Sequence, residues 1–233
     1  MLIDTHLHTH EYSADSFLPI AEAGARARER GLDGLCVTDH DSLGARAEID
    51  EWKRRFGFPL FLGVEVLTTA GDFIVFGLDA APPSGRMTPQ ELLERVHRLG
   101  GVAVAAHPYR NNGRGAGDLI SALPDLDGVE CFNGSTPPEA NLKALKAARA
   151  RGAALLGAAD SHWRERVGLF ATNFAGTLKD ERDLIAALQE RACAPAAWTG
   201  SCFVNAEAWC RGQLAHKTWK FDPACMGRGC LQN

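Results

Sequence analysis

The sequence predicts an α/β fold, in which about seven strands form a parallel sheet with helices outside it. Short apolar runs rich in β-branched residues or alanine alternate with amphipathic stretches along most of the chain. Such alternation is typical of repeated strand–helix units. A chain of 233 residues is also long enough to form one domain of this kind.

The elements can be assigned in order along the chain. One helix has clear limits, because Thr88 is placed to cap its start and Pro89 and Glu91 favour its first turn. Two glycines follow its end, as is common after helices. Strands are predicted over residues 2–7, 35–38, 60–67, 73–78, 102–106, 129–132 and 155–159, and helices over residues 19–30, 45–56, 89–99, 140–151 and 178–191.

The end of the chain differs from the rest. Beyond residue 192 no strand or helix period can be assigned, and five of the seven cysteines lie in the last 41 residues. We expect residues 1–199 to form the main domain and residues 200–233 a short irregular appendage that contains Cys and Trp. Without a secretion signal, the cysteines are expected to be reduced thiols or metal ligands rather than disulfides. Two interpretations stay open for the cysteines of this segment. They are free or buried thiols, or they form a second, structural metal site from among Cys202, Cys210, His216, Cys225 and Cys230.

Composition and charge limit the partners of the protein. Hydrophobic residues make up 45% and charged residues 23% of the chain, which are ordinary globular values. The net charge of −4 at pH 7 gives no general attraction to nucleic acid, so no coating of duplex DNA is expected. No run approaches the roughly 18 apolar residues of a membrane span, and no signal-peptide pattern opens the chain. We therefore expect a cytoplasmic protein without membrane contact.

Five short clusters of acidic and imidazole residues each lie at the end of an apolar run. The ends of parallel strands in such folds converge on one face, so these clusters are expected to meet in space. Side chains alternate along a strand, which places the first two histidines on the same side. The clusters are Asp4-Thr5-His6-Leu7-His8, Thr38-Asp39-His40-Asp41, Gly63-Val64-Glu65, Ala106-His107-Pro108 and Asp160-Ser161-His162.

Neutral imidazoles combined with carboxylates indicate a metal site. This ligand set suits zinc, manganese or iron better than calcium, which takes oxygen ligands only. Sites of this kind activate water, so hydrolysis is the reaction that the residues themselves favour.

The order of the five clusters and the residues within them resemble the motifs of the PHP (polymerase and histidinol phosphatase) family, over roughly residues 1–195. Each cluster alone is a weak signal, but five in this order form a strong one. The resemblance implies a distorted seven-stranded (β/α) barrel that holds two or three divalent metal ions. It also implies hydrolysis of phosphate esters by a metal-activated water.

Carried over by position, the resemblance implies two groups of metal ligands. His6, His8, Glu65 and Asp160 would hold a first ion, with Glu65 bridging, and Asp15, His40 and His162 would hold a second. In place of Asp15, either His10 or Glu11 of the same loop stays open as a ligand.

A third ion would be held by His107 together with Glu65. Members with three ions carry a further histidine after the strand at residues 73–78, where this chain reads Phe-Gly-Leu-Asp. Three binding partners therefore stay open for His107: the second ion, the substrate phosphate and a water. The candidates for a direct catalytic role are His107, Asp160 and His162.

Cationic and polar residues beside the clusters are candidates for binding a phosphate. Arginine can neutralise a phosphate and orient it through two hydrogen bonds. Asp4 and Asp41 are expected to orient ligand imidazoles by accepting their free N–H groups. The substrate-binding candidates are Arg110, Arg114, Asn133, Arg164 and Arg166.

The function that these observations favour is a metal-dependent phosphoesterase. Its expected partner is a small phosphorylated substrate, such as a nucleotide, the end of an oligonucleotide or another phosphomonoester. An amidohydrolase-like or TatD-like metallohydrolase is an alternative, because those enzymes also begin with a His-x-His motif. A non-catalytic barrel that recruits partners through its tail is another.

Overall fold

A computed structural model of the protein describes residues 1–216, which form eleven strands and six α-helices. Cys225 and Cys230, for which both a structural metal site and free thiols stay open, lie outside the described residues. The strands are β1 (Leu2–Asp4), β2 (Gly34–Val37), β3 (Leu60–Leu62), β4 (Val64–Thr68), β5 (Gly71–Phe76), β6 (Val102–Ala105), β7 (Gly128–Asn133), β8 (Ala154–Ala158), β9 (Phe170–Phe174), β10 (Cys193–Trp198) and β11 (Phe203–Asn205). The helices are α1 (Ile20–Glu29), α2 (Arg46–Phe56), α3 (Pro89–Arg98), α4 (Pro138–Arg151), α5 (Glu181–Gln189) and α6 (Ala206–His216).

The α/β class is confirmed, but the sheets are mixed rather than parallel. One sheet has the order β11-β10-β9-β1-β2-β3, and the other has the order β4-β5-β6-β7-β8. Parallel pairs join β1 to β2, β2 to β3, β6 to β7 and β7 to β8, whereas the remaining pairs are antiparallel. Within residues 1–216 no closed barrel is found, so the distorted seven-stranded barrel stays a prediction.

The prediction of one strand over residues 60–67 is wrong, because Gly63 divides this segment between the two sheets. β3 pairs with β2, and β4 pairs with β5. A Cβ atom at Gly63 would lie 2.6 Å from the ring of Phe76, so only glycine fits this crossing. Two residues then join β4 to β5, which permits only an antiparallel hairpin, since a parallel return needs about a dozen residues.

The two sheets meet next to the predicted clusters. Isolated parallel bridges pair Leu7 with Ser161 and His40 with Glu65. The Asp160 N–H donates to the His6 carbonyl at 2.8 Å, which extends the first bridge. The segments that follow β1, β2 and β8 are therefore fixed to one another and to β4 by main-chain hydrogen bonds.

The helices pack against the sheets, and α1 to α4 begin and end within two residues of their predicted limits, whereas α5 is shorter than the predicted helix at residues 178–191. The capping box of α3 is present, since Thr88 accepts the Glu91 N–H and the Glu91 side chain accepts the Thr88 N–H. α3 buries Leu92, Leu93 and Val96 in the core. None of the helices within residues 1–216 combines the length and the apolar character needed to cross a membrane.

The first part of the predicted irregular appendage is regular. β11 pairs with β10 and so extends the six-stranded sheet, and the ring of Trp209 on α6 meets Phe170 edge-on at 5.5 Å. Cys210 is buried and Cys202 is exposed. Among the described residues, none of the side-chain groups that could hold a metal contains a cysteine. The division at residue 199 stays a prediction.

Gly71, at the start of β5, is expected to be intolerant of a side chain. Its φ is +105°, and a Cβ atom there would lie 2.6 Å from the Ala116 main-chain nitrogen. Gly71→Ala should therefore lower the free energy of unfolding by at least about 3 kcal/mol. Gly100→Ala is the matched control, because Gly100 has φ +76° and no atom within 4 Å of the added Cβ. It should cost only about 1 to 2 kcal/mol.

Urea denaturation of both variants measures this difference. Equal losses of unfolding free energy would show that the close approach of the loop around Ala116 does not restrict Gly71.

Candidate metal centre

His6 and His8 converge at the bottom of the site. They follow β1, and their Nε2 atoms lie 3.0 Å apart. Asp160, in the paired segment after β8, places its Oδ1 3.5 Å from the Nε2 of His6 and 3.3 Å from that of His8. All three side chains are buried. Three donor atoms from two segments therefore face one small volume.

Glu65 lies at the centre of the cluster. Its Oε1 is 3.0 Å from His107 Nε2 and 3.6 Å from His6 Nε2. Its Oε2 is 2.8 Å from His40 Nδ1 and 3.4 Å from His8 Nε2. Each oxygen thus faces two imidazoles, which is the arrangement that a bridging carboxylate requires.

Asp15, His40 and His162 form an outer group. One oxygen of Asp15 lies 3.3 Å from the Nε2 atoms of both His40 and His162. The rings of His40 and His162 flank that of His8, at centroid distances of 4.1 and 4.4 Å. The Asp15 side chain is 45% exposed, so this group lies at the opening of the site.

The two alternatives to Asp15 face elsewhere. His10 Nδ1 is 3.2 Å from the carbonyl of Ser16, and the His10 side chain is exposed. The carboxylate of Glu11 accepts the Ile20 N–H at the start of α1. Of these three residues, only Asp15 contacts the histidines of the cluster.

Asp72 was not predicted, yet it lies beside His107. Its Oδ2 is 3.9 Å from His107 Nε2, and Arg114 donates to both of its oxygens at 2.6 and 3.1 Å. Burial, together with the nearby Glu65 carboxylate, raises the pKa of Asp72 to about 6, although His107 and Arg114 oppose this shift. The sequence feature that could have identified Asp72 is a charged residue inside the apolar run of β5.

Glu130 takes the positioning role that was expected of Asp4 and Asp41. Its Oε1 lies 3.0 Å from Nδ1 of His6, and its Oε2 accepts the His107 main-chain N–H at 2.7 Å. Asp4 instead accepts main-chain N–H groups, including that of Ala159, and Asp41 accepts the N–H of Leu67. The expectation for Asp4 and Asp41 is therefore wrong. The sequence feature that could have identified Glu130 is a carboxylate within the apolar strand β7.

The substrate-binding candidates lie at different distances from the cluster. Arg110 hydrogen-bonds to Asp160 and, at 2.5 Å, to Asn133 Oδ1. Asn133 also donates to Asp160 at 3.2 Å. Arg114 binds Asp72, as described above. Arg166 donates to the Gly134 carbonyl, one residue from Asn133, whereas Arg164 pairs with Glu29 of α1 on the outside of the fold.

The main chain adopts uncommon conformations at the cluster. Of the four non-glycine residues with positive φ within residues 1–216, three lie in the predicted clusters, namely Asp41, His107 and Asp160. The N–H of each is hydrogen-bonded to another part of the site: to the Glu65 carbonyl, to Glu130 and to the His6 carbonyl. Strain of this kind persists where the surroundings hold it, and it concentrates at functional sites.

The protonation of the cluster reflects opposing effects. Burial lowers the pKa of His6, but the carboxylates of Asp160, Glu130 and Glu65 outweigh it and raise the pKa well above its usual value. The pKa of His8 is well below its usual value, because burial and the neighbouring His40 and His162 disfavour its charged form. His6 thus favours its charged form and His8 its neutral form. A metal ion that binds His6 would have to displace its proton, which makes the affinity depend on pH.

The donor set fits divalent metal ions. Three groups of side chains have ligand atoms within 4.8 Å of one another: His6, His8 and Asp160; His8, His40 and His162; and Glu65, Asp72 and His107. Imidazole nitrogens mixed with carboxylate oxygens suit Zn²⁺, Mn²⁺ or Fe²⁺.

Glu130→Ala is expected to weaken metal binding, because His6 would lose the partner of its Nδ1 atom. Loss of such an outer partner typically lowers metal affinity about 10- to 100-fold. Glu130→Gln should have a smaller effect, since its amide keeps one acceptor oxygen. Metal content after dialysis against buffered Zn²⁺, measured by plasma mass spectrometry, tests this expectation. Glu94→Ala, on the exposed face of α3, is the control, and a folded Glu130→Ala protein with full affinity would contradict the role.

Comparison with known proteins agrees with this geometry. The PHP domain model matches residues 4–111, and the PHP-associated model matches residues 138–193. In a solved structure from Bacteroides vulgatus, a two-domain protein contains a predicted PHP-like metal-dependent phosphoesterase. It superposes with a TM-score of 0.65 at 19% identity, over 85% of this chain and 64% of that chain. This likeness shows the fold alone.

Two curated proteins are similar in sequence. A 3′,5′-nucleoside bisphosphate phosphatase of Chromobacterium violaceum is 35% identical over 108 residues, which are 43% of this chain but only 38% of that protein. An uncharacterized protein of Methanocaldococcus jannaschii is 33% identical over 142 residues, which are 57% of this chain and 82% of that protein. With both domain models matched in order and the five clusters brought together at one site, the chain belongs to the PHP family.

Proposed function

We propose that the protein is a metal-dependent phosphoesterase that hydrolyses a nucleotide, the end of an oligonucleotide or another small phosphomonoester. The observation that carries this proposal is the convergence of four imidazoles on the buried carboxylate of Glu65. Two further carboxylates, Asp15 and Asp160, contact the same histidines. The nucleoside bisphosphate phosphatase that the chain resembles supports the choice of a phosphate ester.

The ligand groups would divide between two ions, and Glu65 would contribute to both. His6, His8 and Asp160 would hold the inner ion, and Asp15, His40 and His162 would hold the outer one. When bound, such ions supply a water of lowered pKa and neutralise charge on the phosphate. Because Asp15 is half exposed, the outer group is where a substrate first reaches the site.

Arg110 is the strongest candidate for binding the phosphate. Its guanidinium is mostly buried, and it contacts Asp160 and Asn133 at the wall of the cluster. Fixed donors in a buried site stabilise developing charge without reorganisation. Asn133 holds Arg110 in place through its Oδ1, while its Nδ2 donates to Glu130 and Asp160. We assign Asn133 to positioning and Arg110 to the phosphate.

Two ions are favoured over three, because a cation of the chain already occupies the third group. Arg114 binds both oxygens of Asp72, which is the only carboxylate of that group besides the shared Glu65. An additional ion there would lie next to the guanidinium and be repelled by it. His107 would then hydrogen-bond to Glu65 rather than hold an ion of its own.

The proposed activity requires metal, so loss of His8 should abolish it. Purified protein should contain about two ions per chain and hydrolyse p-nitrophenyl phosphate or its bis ester with Mn, Zn or Fe. His8→Ala should lower kcat/KM by at least about a thousandfold. His97→Ala is the matched control, because His97 lies on α3, pairs with Asp127 and belongs to none of the ligand groups. Turnover by His8→Ala equal to that of the control would refute the proposed function.

Arg114→Ala tests the number of ions. Removing the guanidinium leaves the buried Asp72 carboxylate without its partner, so a metal ion should take that place. We expect the metal content to rise by about one ion per chain in excess Mn²⁺. Arg164→Ala, on the outside of the fold, should leave it unchanged. Unchanged content in Arg114→Ala would show that Asp72 and His107 do not form a metal site.

A further inference from the structure

Phe17 is a large aromatic side chain that the fold leaves in solvent. It is 65% exposed, more than any other large apolar side chain within residues 1–216. One face of its ring stacks on Trp163, with centroids 5.5 Å apart and planes inclined by 22°. Its exposure therefore comes from the opposite face and the edges of the ring.

The two rings lie at the opening of the metal centre. Trp163 directly follows His162, and its ring centroid is 6.0 Å from that of His162. Phe17 lies two residues after Asp15, and its main-chain N–H donates to the His162 carbonyl at 2.9 Å. Since Asp15 and His162 contact each other at 3.3 Å, both rings adjoin the outer ligand group.

Hydrogen bonds and packing hold the main chain on both sides of Phe17. On one side of it, the Ser16 hydroxyl donates to the His8 carbonyl at 2.8 Å. On the other side, Leu18 is fully buried, and its N–H donates to the Ser16 hydroxyl. The main chain on both sides of Phe17 is therefore fixed while its ring remains in water.

We infer that Phe17 and Trp163 form a stacking platform for the base of a nucleoside phosphate, an inference that rests on the proposed function. A base has a flat apolar face that stacks on aromatic side chains whatever its identity. A pentose separates this base from its phosphate, which suits rings that adjoin the ligand residues without being ligands themselves. The platform selects nucleotides over phosphate esters that lack an aromatic base.

A second aromatic pair provides a contrast. Trp52 and Phe56 on α2 lie 4.2 Å apart, and Phe56 is 41% exposed. Two arginines of the chain, Arg28 and Arg55, already lie over the Phe56 ring. Within the described residues, no such cation lies over the ring of Phe17 or Trp163. The pair at the metal centre thus keeps a face free for a ligand, and Phe56→Ala is a matched control.

Hydrolysis of adenosine 5′-monophosphate and of ribose 5-phosphate tests the platform. Phe17→Ala and Trp163→Ala should each raise KM for the nucleotide about tenfold, the usual effect of losing one stacking partner. The ratio of kcat/KM values for the two substrates should fall by the same factor. Trp163→Phe should retain most of the preference, and Phe56→Ala all of it. Thermal unfolding of each variant shows whether it is folded.

A binding measurement complements turnover. With 5-fluorotryptophan in place of the five tryptophans, the fluorine resonance of residue 163 can be assigned from its absence in Trp163→Phe. Addition of adenosine should shift this resonance in the wild type, and the shift should be lost in Phe17→Ala. This readout requires neither phosphate nor turnover.

The outcomes separate the platform from the proposed function. If both substrates are hydrolysed but the ratio is unchanged in Phe17→Ala and Trp163→Ala, the platform is wrong and the phosphoesterase stands. An equal change in Phe56→Ala would also overturn the platform. If neither substrate is hydrolysed by the wild type, the fluorine spectrum decides. An adenosine shift would then support base binding, and no shift would overturn it.

Discussion

The structure depends on keeping the charge of Glu65 compensated in the interior. Its side chain is only 1% exposed, and a buried carboxylate is costly unless opposite charge or hydrogen bonds surround it. Burial alone would raise the pKa of Glu65, but His6, His40 and a hydrogen bond from His107 hold it well below its usual range. These histidines come from three distant segments. The two sheets must therefore meet where they do, and the main-chain bridge between His40 and Glu65 fixes this meeting point.

Carboxylates outside the ligand groups hold the cluster in place. Asp4 ties the end of β1 to the segments around Ala159 and Gly168. Asp39 accepts the main-chain N–H and the hydroxyl of Thr9 and the hydroxyl of Ser13, which orders the loop that carries Asp15. Burial raises the pKa values of both aspartates, to about 7 for Asp4, although these donors oppose the shift. The acidic residues of the clusters thus divide into ligand candidates and supports.

Features that follow from local periodicity and from the ends of strands could be predicted from the sequence. Features that depend on pairing between distant segments could not. Helices α1 to α5 and the five clusters follow from local patterns, so they were found, whereas α6 lies in the segment that was predicted to be irregular. The hairpin of β4 and β5 was missed, because an apolar run does not reveal the direction of its partner strand. Asp72 and Glu130 were missed because each lies inside an apolar strand, where a single acidic residue has no local motif. Only tertiary contacts show that they face His107 and His6.

The loop between β1 and α1 links metal binding to the proposed recognition of a base. It carries Asp15, which contacts His40 and His162, and two residues later the exposed ring of Phe17. A hydrogen bond from Phe17 to the His162 carbonyl joins the same loop to the segment that presents Trp163. An ion that fixes Asp15 against His162 would therefore also fix the two rings against each other. Because ordering a binding surface before the ligand arrives lowers the entropic cost of association, metal occupancy should favour base stacking even though neither ring is a ligand.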